Sequence, residues 1–491
     1  VTLFTLAPAL LDEARRLGVY AIVRQHRKRA LGVSVQNGKV ESVGASELGG
    51  AGFQVFTASG HTAFGYTDGF DESEATAALR RTAESAARAE GMLSVPDRAI
   101  FSAAPLVLDL PDPRAERFDA LSLERLTAGA KSAHEETRAL SSETRVSTNA
   151  TVNREDWRVD RSDGTTASWS VPRFVLHHAV TAGEGGSVAT VRAHLFSADY
   201  EALGDPVAAR LLSERARGAV RKALGLRTAG RYPAGVYPLL IDYALAKGLA
   251  HEAFGHAAEA DSFRSSVLAS GGRFRSGERV GRESVGVIDE PVAGDHAYQP
   301  IGANGFRRER VEIVRAGVLH EALADIFSAG PGGVPAKGAE RAESYRATPL
   351  PRMSNIRIEL AEAAPLPRPF EEMAPEDVRD LVGASGLFER FPKIVFLSGY
   401  TGGQVNPVLG DFVFNCQALY ELTPGAMTLY RPAIFRGSLL AALGSIERAF
   451  GPLQLDAIGT CGKWGQSVPS SGGSHGYVFL EPNESIGVGG R

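Results

Sequence analysis

Cysteine is nearly missing: the 491 residues hold only two, Cys416 and Cys461. A disulfide-stapled secreted framework is thereby excluded, and a reducing, cytoplasmic setting is the expectation. An excess of charge of one sign is missing too. The 53 Lys and Arg stand against 57 Asp and Glu, for a net charge of −4, so no electrostatic case for a nucleic-acid partner exists. The short basic run at residues 24–29 (RQHRKR) reads as solvated surface. No uninterrupted apolar run approaches the roughly 18 residues needed to span a bilayer, so no membrane partner is expected. Near the N-terminus the apolar segment is broken by Asp12 and Glu13 and lacks a basic lead, which does not read as a signal peptide. What is present is ordinary for a globular chain: 44% hydrophobic and 22% charged residues.

Residues 6–17 read as a short amphipathic helix. Apolar and polar residues then alternate to about residue 70, with Asn37-Gly38 and Ser59-Gly60 as turn signals, which is the pattern of a β-meander. Residues 71–90 open with acidic residues, are rich in Ala and stop at Gly91, as a helix does. A second unit starts near Leu106: a helix, β-rich segments over residues 144–199, and a helix with an apolar stripe beginning at DPVAARLL. From Gly230 the composition shifts to Gly and Pro, and GVYPLLIDY reads as a buried strand. The expected class is α+β, with an N-terminal α/β-meander domain (1–105), a middle α+β unit (106–229) and a large β-rich C-terminal domain (230–491). The last carries the segment of most chemical interest, LAHEAFGHAAEAD at residues 249–261.

That segment holds His251 and Glu252 side by side and His256 five residues after the first histidine. In a regular α-helix, positions four apart diverge by about 40° around the axis and positions five apart by about 140°. Two imidazoles at this spacing share a ligand only if the helix is expanded by a π-bulge, kinked or ended between them. Gly255 is the expected point of relaxation. Given convergence, the two histidines are metal-ligand candidates and Glu252 a base for an attacking water. Other His-Glu pairs exist at His320-Glu321, with no second histidine, and at His134-Glu135-Glu136, on an expected surface helix. A third ligand must come from elsewhere. Cys461, in an expected loop between Gly459 and Gly462, is the best candidate, against the reading of a small buried core residue. Lys463 nearby is expected to help hold the thiolate. Cys416, within an alternating strand pattern, reads as core.

HEAFGHAAEAD together with GTCGKWGQSVP resembles the TldD/PmbA family, the so-called modulators of DNA gyrase. PRMSN (351–355), GGQVNPVLGDFVF (402–414), the terminal IGVGG and the VQNGKVESV hairpin near residue 37 resemble further motifs of that family, in its order, so the resemblance spans nearly the whole chain. With His251, Glu252, His256 and Cys461 all in place, the chain resembles the TldD-like branch rather than the metal-free TldE/PmbA-like one. The resemblance implies a zinc-dependent metallopeptidase with one Zn²⁺ per chain, held by His251, His256 and Cys461, and with Glu252 as general base. It implies extended or unfolded peptide substrates and a dimer, either a homodimer or a heterodimer with a metal-free paralogue. Gly402 and Gly403 are candidates to pair a substrate strand, and Asn406 either orients it or stabilises the oxyanion, with a turn-stabilising asparagine as the competing reading. Glu259 and Asp261 are candidates to brace the imidazoles, with plain surface carboxylates as the competing reading. After GQSVP the chain departs from the family pattern with SSGGSHGYVF, and His475 there is either a surface-loop residue or a substrate contact. Two alternatives stay open: a specialised hydrolase of a peptide-like small metabolite or conjugate, and a non-catalytic peptide-binding subunit that activates a paralogous partner.

Overall fold

A computed structural model describes residues 4–92, 95–183 and 188–489; Gly490, which ends the IGVGG motif, lies outside the described residues. Helix α1 (Ala7–Arg16) precedes the hairpin of β1 (Tyr20–Gln36) and β2 (Lys39–Phe56). Asn37 and Gly38 both have positive φ, 49° and 82°, the backbone of a turn whose twist matches that of the two strands. β3 (Thr62–Asp68) follows, and helix α2 (Glu72–Glu90) begins where the Asp71 carboxylate accepts the Glu74 N–H. After β4 (Val107–Leu110) come β5 (Thr144–Arg161), β6 (Thr166–Ala182) and β7 (Ala189–Ser197).

These seven strands make one sheet, in the order β3-β2-β1-β5-β6-β4 with β7 also on β6. The expected boundary at 105/106 therefore falls inside a single sheet: β1 of the first unit is hydrogen-bonded along its length to β5 of the second. α1 and α2 bury Leu10 and Leu79 with Val23, Phe53 and Val55. Helices Leu123–Arg138 and Pro206–Leu226 bury Leu126, Ala130 and Leu212 with Val33, Phe174 and Leu176.

Two surface expectations are corrected here. In the basic run, Arg24, Gln25 and His26 are fully buried. Arg24 donates to the Ala303 carbonyl and to the side-chain oxygens of Gln54 and Asn304, and His26 stacks on Trp157 with ring centroids 3.8 Å apart. The buried guanidinium is held by acceptors for Nε and Nη2, two of the three from a distant part of the chain. His134 lies on its expected helix but faces the sheet and is fully buried. Its Nε2 accepts the Gly38 N–H at 2.9 Å.

The C-terminal part is built on a fourteen-stranded mixed sheet. The apolar β8 (Leu239–Asp242) is buried at every position, parallel to strand Ile394–Asn406 and antiparallel to strand Gln466–Leu480, as a strand covered on both faces should be. Leu239 and Ile241 belong to one core, with Leu397, Phe414 and Leu419. Leu240 belongs to another, with Phe396, Tyr420 and Phe479. Strand alternation puts these cores on opposite faces of the sheet. No helix among the described residues is long and apolar enough to cross a membrane.

Candidate metal centre

β8 ends at Asp242, whose carboxylate accepts the Leu245 N–H at 3.0 Å and so caps helix Tyr243–Gly248. The helix then widens: Leu249–Gly255 is π-helical, and the His256 N–H bonds the His251 carbonyl, five residues back. The bulge expected from the spacing is thus present, and it turns His256 onto the face of His251. The imidazole centroids lie 5.2 Å apart with ring planes at 88°. Gly255 serves differently from expectation. Its φ of −57° and ψ of −60° are ordinary helical values, but a Cβ there would sit 1.8 Å from Met353 Sδ. The glycine admits Met353 of the PRMSN segment, between strands Leu350–Pro351 and Asn355–Leu360, rather than relaxing the backbone.

Cys461 approaches from strand Gly459–Lys463, paired with Gln466–Leu480 across a turn at Trp464 and Gly465 (φ 51° and 78°). The expected loop is a hairpin, which aims the sulfur more firmly than a loop would. Cys461 Sγ lies 3.7 Å from His256 Nε2, and candidate ligand atoms of His251, His256 and Cys461 all lie within 4.8 Å of one another. Bonds of about 2.0–2.3 Å to a tetrahedral ion put its ligands about 3.3–3.8 Å apart, so the imidazole–sulfur separation already fits. His251 is 2% exposed and its Nδ1 has no hydrogen-bonding partner. Two imidazoles and a thiol, one ring nitrogen left orphaned in the interior, are a donor set suited to zinc.

The charges around these groups are arranged around the sulfur. Burial opposes protonation of His256, but the Glu259 carboxylate and the Cys461 sulfur outweigh it and hold its pKa well above the usual value. Burial likewise opposes the Cys461 thiolate, yet His256 and Arg352 bring its pKa below that of a free thiol. Both shifts favour the thiolate, the metal-binding form. His251 is pushed well below its usual value, first by burial and then by Lys247 and His256, and stays a neutral donor.

Glu259 is 1% exposed, with Oε2 at 3.1 Å from His256 Nδ1 and 2.9 Å from Lys463 Nζ. It meets the imidazole from the interior and is not a surface carboxylate. Asp261 contacts no imidazole; its carboxylate accepts from Lys463 at 2.8 Å. Lys463 therefore anchors Glu259 and Asp261 rather than the thiolate, and the cation beside Cys461 is Arg352, which donates to its carbonyl oxygen.

Glu252 is half-buried, its Oε2 4.0 Å from His256 Nε2, and its Oε1 accepts the Tyr400 hydroxyl at 3.1 Å. Tyr400 reaches it because Gly248 leaves room: a Cβ there would meet the tyrosine ring at 2.8 Å. Lys247 donates to Ser470 Oγ at 3.2 Å beneath that ring. Tyr400, Lys247 and Arg352 escaped the sequence reading, although Arg352 lies within the PRMSN motif and Tyr400 two residues before Gly402.

Gly402 and Gly403 lie on strand Ile394–Asn406, opposite Asn415 and Phe414. On the strand's other side β8 pairs only with Val395, Phe396 and Leu397; beyond that point no further strand among the described residues covers this edge. Asn406 Oδ1 accepts the Val408 and Leu409 N–H groups at 3.0 and 3.2 Å, the turn-stabilising role. His475 is corrected. It is buried in strand Gln466–Leu480, with Nδ1 2.8 Å from the Gly451 carbonyl and Nε2 3.2 Å from the Leu360 backbone; it is neither a loop residue nor open to a substrate.

The profile of the PmbA/TldA metallopeptidase C-terminal domain matches residues 234–469, and that of PmbA/TldA metallopeptidase domain 1 matches residues 21–89. A metalloprotease of Archaeoglobus fulgidus is 34% identical over 49% of this chain and 51% of its own length. One of Methanocaldococcus jannaschii is 30% identical over 64% and 63%. The chain thus spans between half and just under two thirds of the length of these curated relatives. The crystal structure of TldE from Thermococcus kodakarensis superposes with a TM-score of 0.74 over 99% of this chain and 100% of that one, at 14% identity, a likeness of fold. With matched domains at both ends and the fold shared throughout, the chain belongs to the TldD/PmbA family.

Proposed function

We propose that the protein is a zinc-dependent peptidase acting on extended or unfolded peptides, with one Zn²⁺ per chain held by His251, His256 and Cys461. The observation that carries this reading is the convergence of two imidazoles and a thiol across the π-helical turn, with Glu252 beside them. Zinc at these three side chains would supply Lewis-acid activation of water and of a peptide carbonyl. Glu252 takes the proton of the attacking water and delivers it to the leaving amine, the two halves of general base and general acid catalysis. The Tyr400 hydroxyl, bonded to Oε1, leaves Oε2 as the oxygen on the His256 side. Glu259 holds the His256 ring through Nδ1 and is itself fixed by Lys463.

An extended peptide adds to the edge at residues 401–406, where Gly402 and Gly403 let its backbone come close. Asp261 acts through Lys463, and Asn406 shapes the turn that ends the strand. The pairing of Glu252 with Tyr400 supports an active enzyme over a purely binding subunit, since a structural zinc has no use for that carboxylate. Two free cysteines fit a reducing, cytoplasmic location. The assembly we propose is a dimer, of two copies or with a metal-free paralogue. The test is Glu252→Gln against wild type on a fluorogenic unstructured peptide, with zinc measured on both. Full zinc with turnover lowered at least about a hundredfold is expected; unchanged turnover would remove Glu252 from the chemistry.

A further inference from the structure

Behind the sheet that carries Tyr400, on the face opposite the metal centre, lies a cavity of about 360 Å³. Helix Pro206–Leu226 roofs it and the sheet floors it. Phe396 and Tyr420, stacked at 5.6 Å, supply an aromatic floor, with Tyr477 and Met373 beside them. This volume is within the range of small-ligand sites, which are mostly apolar with a few fixed polar groups.

The polar groups here are unusually well defined. Lys222 Nζ donates to Ser398 Oγ at 2.8 Å, and Ser398 Oγ donates to Asp242 Oδ2 at 3.1 Å. Asp242 is already engaged on both oxygens, by the Leu245 and Gly399 N–H groups. An ammonium has three donors, and among the described residues Nζ makes only the bond to Ser398, so two donors face the cavity unused. The neighbouring acids are taken: Glu371 by Arg215 at 2.6 Å and Glu214 by Arg217 at 2.6 Å. At the rim, Arg192 and Arg221 are exposed without a described ion pair, against one such acid, Glu376. The charges lining the cavity balance, with Asp242 facing Lys222 across Ser398, and what is left over is the two unused donors of Nζ among apolar walls.

We propose that this cavity is a second ligand site, separate from the metal centre, that takes a carboxylate bearing an aromatic or aliphatic body, the carboxylate on Lys222 and the body between Phe396, Tyr420 and Met373. A free hydrophobic acid and the C-terminal residue of a peptide share this chemistry. Gly218 offers a clean way to close the site. It lines the cavity from the helix, a Cβ there meets nothing within 4 Å, and leucine is a better helix former than glycine.

The test is calorimetric titration of the full chain with 3-phenylpropionate, the neutral 3-phenylpropanol, acetyl-Ala-Phe and acetyl-Ala-Phe-amide. One saturable site per chain is expected for at least one of the two acids. Each acid that binds should outcompete its neutral counterpart by at least about tenfold, the worth of a charge-assisted hydrogen bond. Lys222→Gln should remove that preference, and Gly218→Leu should abolish binding with the fold intact by circular dichroism. The tighter of the two acids identifies the source of the carboxylate. No saturable binding by either acid, equal binding of acid and neutral analogue, or binding indifferent to Gly218→Leu would overturn the proposal. The comparison of acid with neutral analogue and the Gly218 variant decide the matter even if Lys222→Gln misfolds.

Discussion

Two pairs of neighbouring histidines among the described residues, one fully buried and the other half-buried at His256, differ in their surroundings. In the N-terminal sheet, His134 Nδ1 and His178 Nδ1 share the Thr148 hydroxyl at 3.0 and 2.8 Å. His134 Nε2 accepts the Gly38 N–H, and His178 Nε2 lies 3.2 Å from Thr137 Oγ1. Every ring nitrogen is matched by a neutral group, and no carboxylate or sulfur takes part. In the C-terminal domain, His251 keeps an unpartnered nitrogen, while His256 is gripped by Glu259 on one side and faces Cys461 on the other. Proximity of imidazoles is thus common to both. A buried nitrogen left without a partner, with a carboxylate behind its neighbour and a thiol in front, sets the second pair apart as the one we propose as a ligand set.

This contrast is open to attack by mutation. Cys461→Ser removes the sulfur and should lower zinc affinity by more than about 100-fold, beyond the 10- to 100-fold typical of supporting residues; competition with a chromogenic chelator measures it. Glu259→Gln keeps the shape but not the charge behind His256, and a loss of about 10- to 100-fold is expected in the same assay. Thr148→Val strips the shared hydroxyl from the other pair. It should destabilise the fold by about 1–3 kcal/mol in urea melts and leave zinc affinity unchanged. A shift in zinc affinity there would erase the distinction between the two pairs.

The remaining effect is on pH. Burial, helped by His134 and His177, pushes the His178 pKa down to about 4. The folded state then binds fewer protons than the unfolded state between about pH 4 and 6.5, so stability is full above 6.5 and falls as pH drops towards 4. Replacing His178 with Asn should flatten that slope by up to one proton, about 1.4 kcal/mol per pH unit. A slope unchanged in the variant would mean His178 does not titrate in this range.

Much of the local structure was legible because its causes are local. Asn37-Gly38 dictates its turn, Asp71 caps its helix, and the five-residue spacing of His251 and His256 calls for a bulge, kink or helix end if they are to converge, of which a π-helical turn is present. What escaped depends on distant residues. Arg24 looks like surface charge until Ala303 and Asn304 arrive to accept its donors. Tyr400 comes to Glu252 from 148 residues away. The glycines after GQSVP read as a loop, yet they lie in a central strand. A Cβ on Gly472 or Gly473 would come within 1.7 or 1.6 Å of the Ile356 or Gln454 carbonyl oxygen, so there glycine reports close packing rather than exposure.

X-ray absorption at the zinc edge of the purified full chain tests the central claim most directly. Two nitrogen scatterers near 2.0 Å and one sulfur near 2.3 Å are expected, with the sulfur lost in Cys461→Ser. A wild-type zinc shell of nitrogen and oxygen alone would contradict it.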